Sequence, residues 1–398
     1  MAKDTKSKYE RLGVDPDKKA VREIFGRIVK NDFPGAFVNI AYDLENPGKV
    51  FTKHPDGDGS KMVQRVLHYL ETGEEEIFQG AVDDAFSMNT GDIAASGFVF
   101  GKWVITQVIN INGLNVPKDL IMKQIALRVE SLLKLYESFG FELSFFMGGE
   151  TADLPDQVSS AVYDVDVYAE AKESELIIGN VKPGDGIYGF ASDGQAIWEK
   201  VFNSGIMSNG LTAGRIYLMS DEYGKKYPFL IRRDGRYEGR FSITSAPEML
   251  HGMTVSEAIL SPTRQWAILI RALIERLKAR NILHMLHGIS MNTGGGATKI
   301  IHVGKGIKYV KNKMPAPSPI FLLIQNESQE TWRNMYKSFN CGVGIDVVGE
   351  KNKEFEDALR QVSKAAKVKL YKLGECYKNK GEENKVILTT PFGTFDDY

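Results

Sequence analysis

Gly148-Gly149-Glu150-Thr151-Ala152-Asp153-Leu154-Pro155-Asp156 follows directly on the apolar run Leu143-Ser144-Phe145-Phe146-Met147. The run reads as a buried strand. The two glycines, the acid and the hydroxyl read as the bend that ends it, with Pro155 fixing the exit. An acid on a glycine-rich bend at a strand end is costly for folding and useful for holding a metal-bound phosphate. Upstream, residues 119–141 carry Ile121, Ile125, Val129, Leu132 and Tyr136 near helical period, between Pro117 and Gly140, and predict a helix. Downstream, residues 159–171 alternate Val and Tyr with Asp, the pattern of a half-exposed strand. Residues 36–44 alternate similarly and also read as a strand. Strands alternating with helices predict an α/β class, of the α+β type, for this half.

The texture changes at Pro183-Gly184-Asp185-Gly186, a turn leading into an expected strand at 187–191. The domain boundary is set just before it, at Ser174, giving an N-terminal domain of 1–174 and a C-terminal domain of 175–398. The second half carries an amphipathic helix over 262–280, with Trp266, Leu269, Leu273 and Leu277 on one face. Residues 319–324, Pro-Ile-Phe-Leu-Leu-Ile, read as a strand, 329–338 as a helix and 344–348 as a strand. Residues 221–247 are polar and turn-rich, the look of a surface excursion.

A chain of 398 residues exceeds one small domain, and 43% hydrophobic with 25% charged residues is the balance of a soluble globular protein. Fifty Lys+Arg against 51 Asp+Glu give a net charge of −1, with no basic excess for nucleic acid or an anionic membrane surface. The polar start, Met-Ala-Lys-Asp-Thr-Lys-Ser-Lys-Tyr, resembles neither a signal peptide nor a membrane span. Cys341 and Cys376 stand alone, without CxxC or a Cys/His cluster, so neither a disulfide framework nor structural zinc is expected. A reducing cytoplasm is the expected location. Cys341 has no adjacent base and reads as a small apolar residue at a buried strand-edge turn.

Three segments of the first half share one chemistry. Residues 54–61, His-Pro-Asp-Gly-Asp-Gly-Ser-Lys, offer Asp56 and Asp58 on bends at Gly57 and Gly59, followed by Ser60 and Lys61. Residues 87–97 offer Asn89 and Asp92. The opening stretch offers Glu150 and Thr151, with Asp153 and Asp156 behind them. Magnesium prefers a few carboxylates completed by substrate phosphate oxygens and water, which scattered acids with a lysine satisfy. Taken singly, each segment is as well explained by an ordinary Asp-Gly surface turn. The spaced acids and terminal Glu of a calcium loop are missing from 54–61. A fourth cluster, residues 284–300, sets Gly294, Gly295 and Gly296 before Ala-Thr-Lys-Ile. A glycine nest opening a helix is an anion site, and a flexible loop is the alternative. Neither Walker A nor GxGxxG spacing is present. His287 reads as a satisfied structural histidine.

In their order, these segments resemble one family. Gly-Val-Asp-Pro-Asp at 13–17, Pro-Asp-Gly-Asp-Gly-Ser-Lys at 55–61, Gly91-Asp92, Gly-Gly-Glu-Thr-Ala-Asp-Leu-Pro at 148–155, Ser208-Asn209-Gly210, Ser-Pro-Thr-Arg at 261–264, Thr-Gly-Gly-Gly at 293–296 and Phe-Asn-Cys-Gly-Val-Gly at 339–344 are similar to the successive motifs of aminoimidazole ribonucleotide (AIR) synthetase, also called phosphoribosylformylglycinamidine cyclo-ligase. The likeness runs from about Tyr9 to about Gly349. It implies a two-domain fold with an N-terminal sheet domain that forms a homodimer. It also implies a cytoplasmic ligase of purine synthesis that closes formylglycinamidine ribonucleotide to AIR through an O-phosphorylated imidate. The implied cofactors are ATP and Mg²⁺. Asp56, Asp92 and Glu150 would hold the metal, and Lys61, Asp92 and Asn209 would act in catalysis. Asp56, Gly57, Gly59, Ser60, Lys61, Asn89, Gly148, Gly149, Glu150 and Thr151 would bind the nucleotide. Ser208, Arg264, Thr293, Gly294, Gly295 and Gly296 would meet the ribotide substrate.

There are departures from the family pattern. Ile206-Met207 precede Ser208 where the family carries a histidine, extra residues separate His287 from Thr293, and Gly91 replaces an asparagine. The nucleotide end keeps its acids, whereas the ribotide end is altered. Two alternatives therefore stand beside the cyclo-ligase: a same-fold ATP-dependent enzyme for another formyl or amide substrate, and a nucleotide-binding homologue without chemistry. Relatives that make selenophosphate, phosphorylate thiamine phosphate or mature hydrogenase fit less well. The reactive N-terminal cysteine of the first and the terminal cysteine of the last are lacking.

Overall fold

The computed structural model describes residues 7–14, 19–231, 235–396 and 398. Among them, β1 (Ala41–Tyr42), β2 (Lys49–Gly57), β3 (Trp103–Ile111), β4 (Ser144–Asp153) and β5 (Ala161–Lys172) form a mixed sheet in the order β1-β2-β5-β3-β4. A second sheet has the order β12-β11-β8-β10-β6-β9-β7. Its strands are β6 (Gly186–Ala191), β7 (Leu286–Met291), β8 (Ile307–Lys311), β9 (Val343–Gly349), β10 (Leu370–Lys378), β11 (Lys385–Thr390) and β12 (Gly393–Phe395). The α-helices are α1 (Lys8–Arg11), α2 (Lys19–Phe25), α3 (Lys61–Thr72), α4 (Gln79–Ala95), α5 (Lys118–Ser138), α6 (Leu211–Leu218), α7 (Asp221–Lys226), α8 (Val255–Leu260), α9 (Trp266–Ala279), α10 (Pro319–Ser328), α11 (Trp332–Ser338) and α12 (Lys353–Ala366). The architecture is mixed α/β. No helix among the described residues is long and apolar enough to cross a membrane.

β3 and β4 are parallel and are joined by α5, the crossover that parallel neighbours require. In β5, Tyr163, Val165, Val167 and Ala169 are buried while Asp164, Asp166, Tyr168 and Glu170 are half-exposed, so the first sheet has one packed face and one open face. α4 covers the packed face and also meets α5, α9 and β7. Trp266, Leu269, Leu273 and Leu277 of α9 are fully buried, and α9 packs on both α4 and α12. The α4–α9 contact is thus the seam between the two sheets.

Helix α5 and strands β5, β6 and β9 arise where periodicity predicts them, and α9 and α11 lie within their expected spans. Other expectations are corrected. In 36–44 only Ala41–Tyr42 pairs as a strand. Ala36, Val38 and Ile40 are buried on an irregular segment, pinned where the Val38 N–H donates to Ser96 Oγ at 3.1 Å. The long strand is β2, so residues 54–57 are not a bend, and Lys61 opens α3. Residues 87–95, expected as a loop, are the end of α4. Their small side chains reflect burial on every side: a Cβ on Gly91 would come within 2.1 Å of Met291 Sδ in β7.

The opening stretch does not end its strand either. Gly148 has φ +82°, the β3–β4 register shifts between Ile105 and Gln107, and a Cβ on Gly149 would lie 1.9 Å from the Gln107 carbonyl oxygen. The glycine pair makes a bulge, and β4 runs on to Asp153. Residues 319–324 form α10, not a strand, with Pro319 suited by its fixed φ to the first helical turn. Residues 296–302 wind as a 3₁₀ helix. The 221–247 excursion is partly integrated: Leu230, Tyr237 and Ile243 are buried, and Lys226 and Tyr227 both bond Glu71 of α3 at 2.7 Å. Residues 232–234 of that excursion and 15–17 of the Gly-Val-Asp-Pro-Asp motif lie outside the described residues.

Candidate active site

A cavity of about 360 Å³ opens between the halves of the chain. Its first wall comes from the end of β2 and the middle of α4. Because side chains alternate along β2, His54 and Asp56 follow the buried Val50 and Thr52 on the helix-facing side. There they meet α4: His54 Nε2 lies 3.5 Å from Asp92 Oδ2, and Asn89 Nδ2 donates to the Asp56 carbonyl at 2.9 Å. Asn89 also donates to Ala85 O at 2.9 Å, so it clips helix to strand. Asp56, Asp92, His54 and Met88 face the cavity.

The second wall is Ser208 and Asn209 with Thr293, Gly294, Gly295 and Lys299. Asn209 Nδ2 donates to the carbonyls of Thr293, at 2.6 Å, and Ser338, which binds the two loops to each other. Its Nδ2 group is consumed in holding that wall. Ser208 Oγ lies 3.0 Å from Thr263 Oγ1, and Thr263 in turn donates to Asp84 through its backbone N–H and hydroxyl, at 2.7 and 2.6 Å.

Several expected site residues are set apart from this cavity. Lys61 is fully buried, its ammonium bonded to Asp84 Oδ1 at 3.0 Å and Ser261 O at 2.6 Å. Burial lowers that ammonium to about 8 although Asp84 works against the shift, and it does not face the cavity. Arg264 is buried too, with Nε and Nη2 on Glu199 at 2.8 and 2.9 Å and Nη1 on Ala191 O at 2.6 Å. It forms an ion pair with Glu199 and is not part of the cavity lining. Glu150 pairs with Val108, Val108 with Asp164, and Asp164 with Gly57, so Glu150 lies three strands from β2. Asp56 pairs with buried Val165, Glu150 with exposed Val108; the two acids occupy opposite faces of the sheet. The three acids therefore do not gather within one chain. Gly148, Gly149 and Thr151 go with Glu150 on the edge strand. Gly57, Gly59 and Ser60 lie at the β2–α3 junction, where Ser60 Oγ accepts from Thr212 Oγ1 at 3.1 Å. Gly296 begins the 3₁₀ helix behind the nest. His287 is buried with Nδ1 2.7 Å from Asp185 Oδ2, as a structural histidine would be.

His54, Lys299 and Tyr9 were not singled out as site residues in the sequence, yet all border the cavity. The signal for His54 was its place two residues before Asp56 on a strand, and for Lys299 its place just after the nest. Asp58 also gains a different meaning. It is fully buried, neither carboxyl oxygen has a hydrogen-bond partner, and burial pushes the carboxyl up to about 8. Among the described residues, no group of three His, Cys, Asp or Glu side chains is arranged to hold a metal ion. Two carboxylates opposite a glycine-lysine wall nevertheless fit a magnesium ion completed by phosphate oxygens.

No protein-family model matches the sequence. Among curated proteins, the phosphoribosylformylglycinamidine cyclo-ligase of Methanococcus maripaludis (strain C6) is 30% identical over 301 residues, covering 74% of this chain and 69% of that protein. The enzyme of the same name from Desulfitobacterium hafniense (strain DCB-2) is 28% identical over 389 residues, covering 92% and 96%. Among solved structures, a chain of a HypE–HypF complex aligns with TM-score 0.53 at 15% identity over 96% of this chain and 99% of that one. PurL of T. maritima complexed with FGAR aligns with TM-score 0.52 at 11% identity, over 94% of this chain and 48% of that one. A ThiL complexed with AMPPCP and TMP aligns with TM-score 0.51 at 10% identity over 95% and 96%. These likenesses establish the fold.

Proposed function

Because the chain belongs to the phosphoribosylformylglycinamidine cyclo-ligase family, and is a ligase of the AIR-synthetase-like fold, we propose that it closes formylglycinamidine ribonucleotide to AIR at the expense of ATP. The observation that carries this reading is one cavity with an acid wall, Asp56 and Asp92, facing a wall of glycines, hydroxyls and Lys299. A nucleotide at the acid wall is in keeping with AMPPCP in the ThiL structure, and a ribotide at the other wall with FGAR in the PurL structure.

Phosphoryl transfer needs in-line positioning and charge neutralisation more than a reactive side chain. Asp56 and Asp92 would hold Mg²⁺, which neutralises phosphate oxygens when bound. Lys299 and the backbone N–H groups of Gly294 and Gly295 would receive the ribotide phosphate, with Ser208 beside them. The formyl oxygen attacks the γ-phosphorus, ADP leaves, and the amidine nitrogen then displaces phosphate as the ring closes. His54 and Asn89 orient Asp92 and the β2 end. A homodimer through the open face of the first sheet is part of this reading, with Glu150 on that face supplied to the partner's nucleotide. The boundary near Ser174 and a cytoplasmic location are proposed as well, the latter in keeping with two buried, unpaired thiols.

Asp56→Asn and Asp92→Asn are each expected to lower imidazole formation ~100-fold or more while leaving the melting temperature near wild type. Undiminished turnover in both would end the reading. A second reading, an enzyme of this fold for another formyl or amide substrate, is favoured by two observations. Met207 is buried, and His287 is tied to Asp185, so neither faces the cavity. A panel of formyl- and amide-bearing ribotides decides between them: turnover confined to the purine precursor removes the second.

A further inference from the structure

The cavity has a third wall that neither sheet supplies. At the start of the described chain, Ser7 caps α1: its side chain accepts from the Glu10 N–H at 3.1 Å while the Glu10 carboxylate accepts from the Ser7 N–H at 2.6 Å. A single turn of helix does not persist on its own hydrogen bonds, so this strap depends on what it docks against. The Lys8 backbone N–H donates to Glu330 Oε2 at 2.7 Å, the Lys8 ammonium bonds the Ser328 carbonyl, and it sits 5.7 Å from the Tyr217 ring centroid. Glu330 is itself fixed from the other side by the Thr331 N–H at 2.8 Å and Asn334 Nδ2 at 3.0 Å.

With Lys8 anchored outward, Tyr9 is directed inward. It borders the cavity on one side and a narrow hole lined by α6, α10 and α11 on the other. Burial pushes its hydroxyl up, and the nearby Gly210 backbone opposes that shift. Gly210 closes the Ser208-Asn209-Gly210 turn, whose first two residues line the cavity, and Val14 borders the same opening. A tyrosine here offers an apolar ring to the ligand with its polar tip near that turn.

We infer that Tyr9, delivered by the strap of residues 7–14, is a positioning residue for the ribotide end of the site, setting affinity for the phosphoribosyl substrate and not for the nucleotide. This rests on the cyclo-ligase reading and extends it to a segment outside both sheets. The test is steady-state kinetics of the full chain with formylglycinamidine ribonucleotide and MgATP, beside Tyr9→Phe, Tyr9→Ala and Glu330→Gln. Tyr9→Ala is expected to raise the ribotide KM about tenfold or more, with the ATP KM within about twofold. Tyr9→Phe keeps the ring and loses only the hydroxyl, so its rise should be smaller, about two- to tenfold. Glu330→Gln, away from the cavity, should move the ribotide KM in the same direction by loosening the strap. An unchanged ribotide KM in Tyr9→Ala, or equal rises for both substrates, overturns the role of Tyr9 while wild-type turnover keeps the function reading intact. A wild-type chain that neither binds nor turns over the ribotide overturns the function reading and this inference with it. Should Tyr9→Ala fail to fold, Tyr9→Phe and Glu330→Gln carry the same comparison.

Discussion

Four donors converge on the Asp84 carboxylate: Lys61 Nζ at 3.0 Å, Arg65 Nη2 at 2.5 Å, and the Thr263 N–H and hydroxyl. Burial works to raise this carboxyl, but the two cations and Thr263 hold it below its ordinary value. Asp84→Asn would leave two cations buried without a counter-charge, an expected cost of about 3–5 kcal/mol, readable as a lower melting temperature at neutral pH. The pH dependence has a definite sign. A carboxyl depressed by folding stabilises fully above its unfolded value and loses that contribution as pH falls through its folded value. The gap between wild type and Asp84→Asn should therefore narrow in acid, below about pH 4; a gap independent of pH would contradict this account of Asp84. Asp84 lies in none of the segments whose spacing suggested chemistry. Lys61 was legible as a lysine that matters, but sequence spacing does not say whether an ammonium points into a cavity or into a core. The same holds for Arg264. Asp56 and Asp92 drew notice only as members of a set of acid-glycine segments, and the structure sets both in the lining of one cavity.

At the scale of elements, composition misled wherever burial on all sides replaced a one-sided pattern. The end of α4 is rich in Gly, Ser, Thr and Ala because it is packed from several directions, and that richness imitates a loop. The apolar run of α10 imitates a strand, since short runs of continuous apolar residues lack a period. One-sided elements such as α5, β5 and α9 announced themselves. The Gly148-Gly149 bulge separates two glycine requirements that sequence alone merges. Gly148 needs only a positive φ, with nothing near its missing Cβ, whereas Gly149 is pressed against the Gln107 carbonyl. Asparagine tolerates the left-handed region, so Gly148→Asn should cost less than about 1 kcal/mol. Gly149→Ala must push β4 from β3 and should cost about 1–3 kcal/mol. Thermal unfolding of the pair checks the ranking, and equal losses would remove the bulge as the reason for two adjacent glycines.

For the whole molecule, the open face of the first sheet is the largest question of shape. Met147 is 68% exposed, Phe145 45% and Val108 40%, on or beside the edge strand β4, and Phe51 stacks on Tyr168 at 5.9 Å on the same face. Apolar side chains gathered on a sheet face with a free edge call for a cover. If that cover is a second copy, Met147→Glu should shift the light-scattering mass from two chains to one, and a wild-type chain that is active as a monomer would exclude it. Such a second copy would give Glu150 a task that its own cavity denies it, since it lies on the face away from Asp56. Mixing Asp92→Asn chains with Glu150→Gln chains tests that task directly. If Glu150 serves the partner's nucleotide, each mixed dimer contains one site with both lesions and one with neither. Two inactive preparations should then recover about a quarter of the wild-type rate after random exchange. If Glu150 served its own chain, every site in the mixture would carry a lesion and no rate would return.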